Sequence, residues 1–453
     1  MSKRPNRLTF RDKVFVGALA FSLLVNVWAI ERLRSEVAKL RQAQETLSAS
    51  NTIVDGGVAG STSSDSDAPS AGGQAGGGQT SGGGSAVVLS GQDRVGVSKG
   101  IIKIGAVITQ SGLADQSPVM RGLSAWVQHV NAEGGINGRR IQLIVEDDAT
   151  DTSRGSAALR KLVENDKVFA LVAECAPLTD AQNIEYLKKK GVPVIGSCVL
   201  ATDQFFKNPF QFPLRVSPET MGRLMGKYAV KDMGAKKPAL VQLDNENLTG
   251  MGDGTVAQWK EMGVKDYVVE TVPVVNPNFT PTIVRLRGQN VDHITLLMDN
   301  ASTIRFLQAA GQQGWKPKMI GVTGYDEDVI HYGGAQAEDM IFGFFSEPVR
   351  SSKPVMIQFR EDMKRFYPQE KRLELANNGY HPAWVLTEVM KGLGDDLTRA
   401  RLMNAFDALK NYDDGVLPPY TLRPGHHETT RAVKWGIVKE GQAVPTTNQW
   451  YEL

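Results

Sequence analysis

"VMRGLSAWVQHVNAEGGINGRRIQLIVEDD", residues 119–148, changes its period partway along. In its first half Leu123, Trp126, Val127 and Val130 recur at intervals of three and four, which gathers them on one side of a helix. The second half, "RRIQLIVEDD", reads as a strand. A strand "IIKIGAVI" (101–108) precedes this unit, and helix "SAALRKLVEND" (156–166), strand "VFALVAE" (168–174), helix "AQNIEYLKKKG" (181–191) and strand "VPVIGS" (192–197) come after it. Strands alternating with helices of this length specify βαβ units and a parallel sheet covered on both faces. The rhythm restarts after "FQFPLRVSPET" (210–220), from strand "KPALVQLDN" (237–245) through "DHITLLMDN" (292–300) and "KPKMIGVTG" (316–324) to "MIFGFFSEPV" (340–349). The fold class is therefore α/β, with two Rossmann-like lobes that face each other across a cleft.

The chain of 453 residues, 41% hydrophobic, carries 51 basic and 49 acidic residues for a net charge of +2. That balance argues against nucleic acid as a partner, because neutralising phosphates needs a clustered basic excess. Before the lobes lie three biased segments. The basic start and uncharged Val14–Ile30 (residues 1–30) read as a signal-anchor helix, with export of the chain beyond it. Residues 31–50 read as a short helical stalk, and 51–99 as a Gly/Ser-rich disordered linker. The location these segments imply is a single-pass protein of the cell membrane with its folded part on the extracytoplasmic side, or a secreted or periplasmic protein if the signal is cleaved.

In an open parallel sheet, ligands sit beyond the carboxyl ends of the strands. The corresponding loops are "TQSGLADQSP", "ECAPLTD", "GSCVLATD", "DNENLTGMGDG", "MDNAS" and "VTGYDED", rich in small and hydroxylated residues that cap helices or line a pocket. They do not read as an enzyme. Gly105 and Gly112 are too far apart for a dinucleotide turn, and neither a phosphate-binding loop nor a "GxSxG" motif is present. The six histidines fall away from strand ends and at no metal-ligand spacing, so no metal, cofactor or thiol catalysis is expected. Glu146, Asp147 and Asp148 read as solvated loop charges. Cys175 and Cys198, the only cysteines, end two strands separated by one helix. They are either a disulfide between neighbouring strands or two small apolar pocket residues.

These blocks, above all "NAEGGINGRRIQLIVEDD" (131–148), together with "NPNFTPTIVRLRGQNVDHI" and "GYHPAWVLTEVMKGLG", resemble the type I periplasmic solute-binding proteins of the branched-chain amino acid ABC transporter class. The resemblance covers essentially all of residues 100–453. It implies a three-crossover hinge, with lobe 1 at about 100–215 and 350–415 and lobe 2 at about 216–349 and 416–453. It also implies no catalysis, capture of a small solute in the cleft, and delivery to an ABC transporter permease; an anchored sensor signalling through a partner protein is the alternative.

Carried over position by position, the resemblance points to Ser111 and Gln116 after the first strand, and to Cys175, Ala176 and Thr179 after the third. Ser197 and Cys198 follow the fourth, and the second lobe offers Thr249, Asp299, Thr323 and Tyr325. The hydroxyl pair that relatives offer an α-carboxylate has become Ala176 and Leu200. The ligand classes implied are an amino acid, an amide or a small organic acid, with the balance toward a non-zwitterionic compound. The bridge found in relatives, from the first cysteine position to the loop after "EDDA", cannot form because Thr150 stands there.

Overall fold

The computed structural model describes residues 94–453 apart from 113–114, 177–178, 198–202, 276 and 345. The anchor reading, the stalk and nearly all of the linker lie outside the described residues, among which no helix is long and apolar enough to cross a membrane. The linker reading runs too far at its end. Residues 94–99 already belong to the fold, because Val97 bridges to Ile102 and the Gly96 carbonyl accepts from Lys103 N at 2.8 Å.

Lobe 1 opens with β1 (Ile101–Val107), α1 (Ser117–Ala132), β2 (Arg140–Glu146), α2 (Thr152–Arg160) and β3 (Ala170–Glu174). It continues with α3 (Ile184–Lys189), β4 (Val194–Ser197), α4 (Asp203–Lys207) and β5 (Gln211–Phe212). The strands form one parallel sheet in the order β2-β1-β3-β4-β5. Lobe 2 comes next with α5 (Pro218–Lys231), β6 (Pro238–Leu243), α6 (Glu246–Glu261), β7 (Val268–Val272) and α7 (Thr280–Gly288). Then come β8 (His293–Leu297), α8 (Asn300–Gln312), β9 (Lys318–Gly321), α9 (Glu327–Gly333) and β10 (Ile341–Phe344). The chain returns to lobe 1 as α10 (Pro354–Phe366), α11 (Leu373–Gly392) and α12 (Arg399–Asp407). It ends in lobe 2 as β11 (Ala432–Lys439), β12 (Gln442–Pro445) and β13 (Tyr451–Glu452). The second sheet runs β12-β11-β10-β9-β8-β6-β7, parallel from β6 to β10 and antiparallel at β11 and β12, with β13 on β11.

Each lobe is clamped by a helix pair that meets through glycine. A Cβ on Gly122 of α1 would lie 1.9 Å from the Ala376 carbonyl oxygen of α11, and one on Gly379 would lie 1.9 Å from that of Val119. In lobe 2, Gly222 of α5 and Gly254 of α6 stand in the same relation to Met251 O and Glu219 O, at 1.8 and 2.2 Å. Around the first pair, Trp126 stacks on His129 and donates to Thr387 Oγ1 at 2.8 Å, so His129 is a packing residue.

The chain crosses between the lobes three times, at about residues 213–217, 346–349 and 428–431. They are tied to one another and to the flanking chain. Ser217 N donates to Glu428 Oε1 at 2.9 Å, Glu347 N to Val416 O at 2.7 Å, and Lys434 Nζ to Glu347 Oε2 at 2.7 Å in a buried ion pair. The last crossing comes later than the expected boundary at residue 416. Leu417, Tyr420 and Leu422 are buried in the core of lobe 1, and His427 stacks on Phe212, because this apolar run covers the β5 edge before the chain leaves.

Candidate functional site

The two sets of strand ends approach each other around Arg372. Asp115, beyond β1, pairs with Arg372, and Asp326, beyond β9 in lobe 2, lies within the electrostatic reach of the same guanidinium. Burial works against ionisation of Asp115, but Ser117 and Arg372 together hold it below the usual carboxylate range. Arg215, in the first crossing, is buried, donates Nη1 to the Ser197 carbonyl at 2.9 Å and lies within electrostatic reach of Tyr325. Burial lowers Arg215 to about 10, and burial with the adjacent Asp326 pushes Tyr325 up to about 12.

On the lobe 1 side several expected contacts turn inward. Asp148 is wholly buried, accepting from Thr109 Oγ1 at 2.7 Å, Thr179 Oγ1 at 2.8 Å and Thr150 N at 3.1 Å, which corrects its reading as a solvated loop charge. Thr179 is equally enclosed, with its hydroxyl spent on Asp148 and its side chain filling the space a Cβ on Gly155 would take, so it offers nothing to a ligand. Ala176 is buried among Val107 and Leu187, and its N–H points back to Asp180 Oδ2 at 3.3 Å. Ser111 is exposed and bonded to Asp147 Oδ2 at 2.5 Å; hydrogen bonds from Ser111, Gln110 and Ala149 outweigh burial and lower the Asp147 carboxyl.

Gln116 precedes α1, and its side-chain amide lies 3.5 Å from Cys175 Sγ. Cys175 is fully buried and disulfide-bonded, which removes the thiol any nucleophile reading requires. Cys198 lies outside the described residues. Ser197 ends β4 and receives the Arg215 bond through its carbonyl.

In lobe 2, Thr249 sits in α6, not in the expected loop, and its hydroxyl donates to Asn245 O at 2.9 Å. Asp299 is exposed but acts as the N-cap of α8, accepting from Ser302 N at 2.8 Å. Thr323 shares a 2.9 Å hydrogen bond with Thr303. The structure thus joins Ser197 to Arg215, with Tyr325 in electrostatic reach and Gln116 beside Cys175, and withdraws Ala176 and Thr179. Arg215 is absent from the residues that the sequence singles out, although a lone charge inside the apolar crossing "FQFPLRVSP" is a visible signal.

Under this floor lies a pair of carboxyls. Burial, then each neighbour's charge, pushes Glu174 (by Asp180) and Asp180 (by Asp148) well above the carboxylate range, and Glu174 Oε1 accepts from Val107 N at 3.0 Å. Among the described residues no group of His, Cys, Asp and Glu is arranged to hold a metal ion. His293 and His381 take structural roles. His293 is buried and pushed down to about 3 by burial, and His381 pairs with Asp414 at 2.8 Å.

An amino acid binding protein of Pseudomonas aeruginosa is 25% identical over 248 residues, 53% of this chain and 66% of that protein. A Leu/Ile/Val-binding protein homolog of Brucella abortus is 26% identical over 254 residues, 55% of this chain and 67% of its own length. The fold matches the branched-chain amino acid transporter substrate binding protein LivJ of Streptococcus pneumoniae, solved with isoleucine, at a TM-score of 0.68 and 18% identity, covering 78% of this chain and 100% of that one. With residues 101–443 matching the family profile across both lobes and all three crossings, the chain belongs to the periplasmic binding protein family.

Proposed function

We propose that this protein captures a small organic solute between its lobes outside the cytoplasm and delivers it to the permease of an ABC transporter, without chemistry on the solute. The observation that supports this best is that Asp115, beyond β1, pairs with Arg372 while Asp326, beyond β9 of the other lobe, lies within electrostatic reach of the same guanidinium, beside three crossings between the lobes. A solute touching both sides favours the closed arrangement by its extra contacts there. Gln116, Ser197, Thr323 and Tyr325 are the proposed contacts, with Thr249 and Asp299 at the rim. Ala176 and Leu200 in place of hydroxyls, and Thr179 spent on Asp148, favour an amide or small organic acid over a zwitterion.

The disulfide of Cys175 is proposed to reach Cys198. Glu174 stands opposite Ser197 in the β3–β4 register, and the chain's one other cysteine comes directly after Ser197. Val14–Ile30 is proposed to anchor the protein, with the Gly/Ser-rich stretch as a tether long enough to let the binding unit reach its permease.

A thermal-shift screen of amino acids, amides, aromatic acids and polyols, followed by X-ray scattering with each hit, tests the reading. Binding is expected to reduce the radius of gyration. An unchanged radius at saturation refutes closure, and tight binding of leucine or valine refutes the loss of the amino acid clamp.

A further inference from the structure

A cavity of about 30 Å³, room for one small polar group, lies where the first two crossings meet α11. Ser197 and Arg215, already placed at the strand-end site, line it together with Ser346 of the second crossing and Asn377, Asn378 and Pro382 of α11.

Two oxygens on the α11 wall are short of a donor. Asn377 is buried; its Nδ2 donates to Ser346 Oγ at 3.1 Å, and its Oδ1 has no hydrogen-bond partner among the described residues. In an unbroken helix the Asn378 carbonyl would accept from the N–H of residue 382, but Pro382 has none to give. One shortage is in a side chain and the other in the backbone, so they arise independently, and a buried acceptor costs free energy until a donor reaches it.

This wall discriminates among end groups. A carboxylate is attracted by Arg215 but would set its oxygens against two acceptors. An ammonium would bring a second positive charge beside the buried guanidinium, and a hydroxyl offers one hydrogen for two oxygens. The NH2 of a primary carboxamide is neutral and carries two donors.

We propose that this cavity is the specificity pocket of the strand-end site and takes the NH2 end of a primary carboxamide, which donates to Asn377 Oδ1 and to the Asn378 carbonyl while the body of the solute lies between the lobes. The inference rests on the capture reading above and narrows its amide or small organic acid to the amide.

Calorimetric titration of the full chain with propanamide, hexanamide and benzamide, each beside its carboxylate (propanoate, hexanoate, benzoate), tests it. In every pair that binds, the amide is expected to bind at least about tenfold more tightly, the worth of a hydrogen bond made against one left unmade. Asn377→Leu removes one acceptor and should cut that preference about fivefold. Pro382→Ala returns an N–H to the Asn378 carbonyl and keeps the Cβ that packs against Gly196, where an added Cβ would lie 2.3 Å from it. It should cut the preference by a similar factor while raising the melting temperature. Carboxylates that bind as tightly as their amides overturn the carboxamide pocket; if they also reduce the radius of gyration, capture and closure still stand. Binding by none of the six overturns it as well, and the wider solute screen then tests capture separately. Variants that weaken amide and carboxylate alike also overturn it, since that is the behaviour of a structural, water-filled pocket. If Asn377→Leu does not fold, Pro382→Ala alone decides the question.

Discussion

Replacing Gly122 with alanine tests whether the α1–α11 contact sets the stability of lobe 1. The added Cβ would lie 1.9 Å from the Ala376 carbonyl oxygen and 3.2 Å from Tyr380 N, whereas a carbon normally approaches a carbonyl oxygen to about 3.3 Å. The helices must part by more than about 1 Å, because the obstacle is backbone and no rotamer change relieves it. Overpacking of this kind costs about 3 kcal/mol at the upper end of its usual range, while alanine regains about 1 kcal/mol of helix propensity. The net expectation is a loss of about 2 kcal/mol. Gly250→Ala is the matched control: it lies within α6, and its Cβ would meet only Pro218 Cβ, at 4.0 Å. There the propensity term acts alone, and stability should rise by up to about 1 kcal/mol. Urea unfolding followed by tryptophan fluorescence reads both, since Trp126 and Trp384 lie 4.8 Å apart beside the contact. A Gly122→Ala protein within about 0.5 kcal/mol of the parent, the range of a neutral surface change, would refute the argument.

Thr179→Val leaves Asp148 buried with one bond fewer, which should cost about 1–3 kcal/mol in urea unfolding while solute affinity stays unchanged. A loss of affinity at unchanged stability would return Thr179 to the binding surface. Glu174 and Asp180 are raised above their ordinary values of 4.5 and 3.8, so their favourable contribution is complete below those values and is lost as pH rises through the raised ones. Glu174→Gln should therefore match the parent in acid and exceed it in base; a difference independent of pH contradicts the burial argument. Thiol counting on unfolded, unreduced protein should find none, and two free thiols would rule out the Cys175–Cys198 bond.

The parallel halves of both sheets are legible because their period alternates between helix and strand, and "FQFPLRVSPET" marks the first crossing. The third crossing is not, because Leu417, Tyr420 and Leu422 carry no sign of the lobe whose core they join. Thr249 reads as a loop residue because Gly250, Gly252 and Gly254 crowd around it. The latter two glycines serve packing, with a Cβ on Gly252 meeting Gln242 Oε1 at 2.0 Å and one on Gly254 meeting Glu219 O at 2.2 Å. A hydroxyl in a strand-end loop is equally ambiguous in sequence. Ser111 and Thr179 have the same chemistry and similar neighbours, yet one is exposed and the other seals a buried carboxylate.

That ambiguity bears on what the cleft can recognise. On the lobe 1 side the polar groups are largely committed before a solute arrives: Thr109 and Thr179 to Asp148, Ser111 to Asp147, and Val107 N to Glu174. The buried part of this floor is rigid, because moving Thr109, Thr179 or Glu174 leaves a buried polar group unmatched. The disulfide at Cys175 adds to that rigidity. On the proposed closure, selectivity falls to groups between the lobes such as Ser197, Arg215 and Tyr325. The Lys434–Glu347 pair ties the second crossing to β11, so it resists separation of those segments at every stage of closure. If the proposed closure discriminates solutes in this way, substitutions at Tyr325 should alter which solutes bind more than substitutions anywhere on the lobe 1 loops.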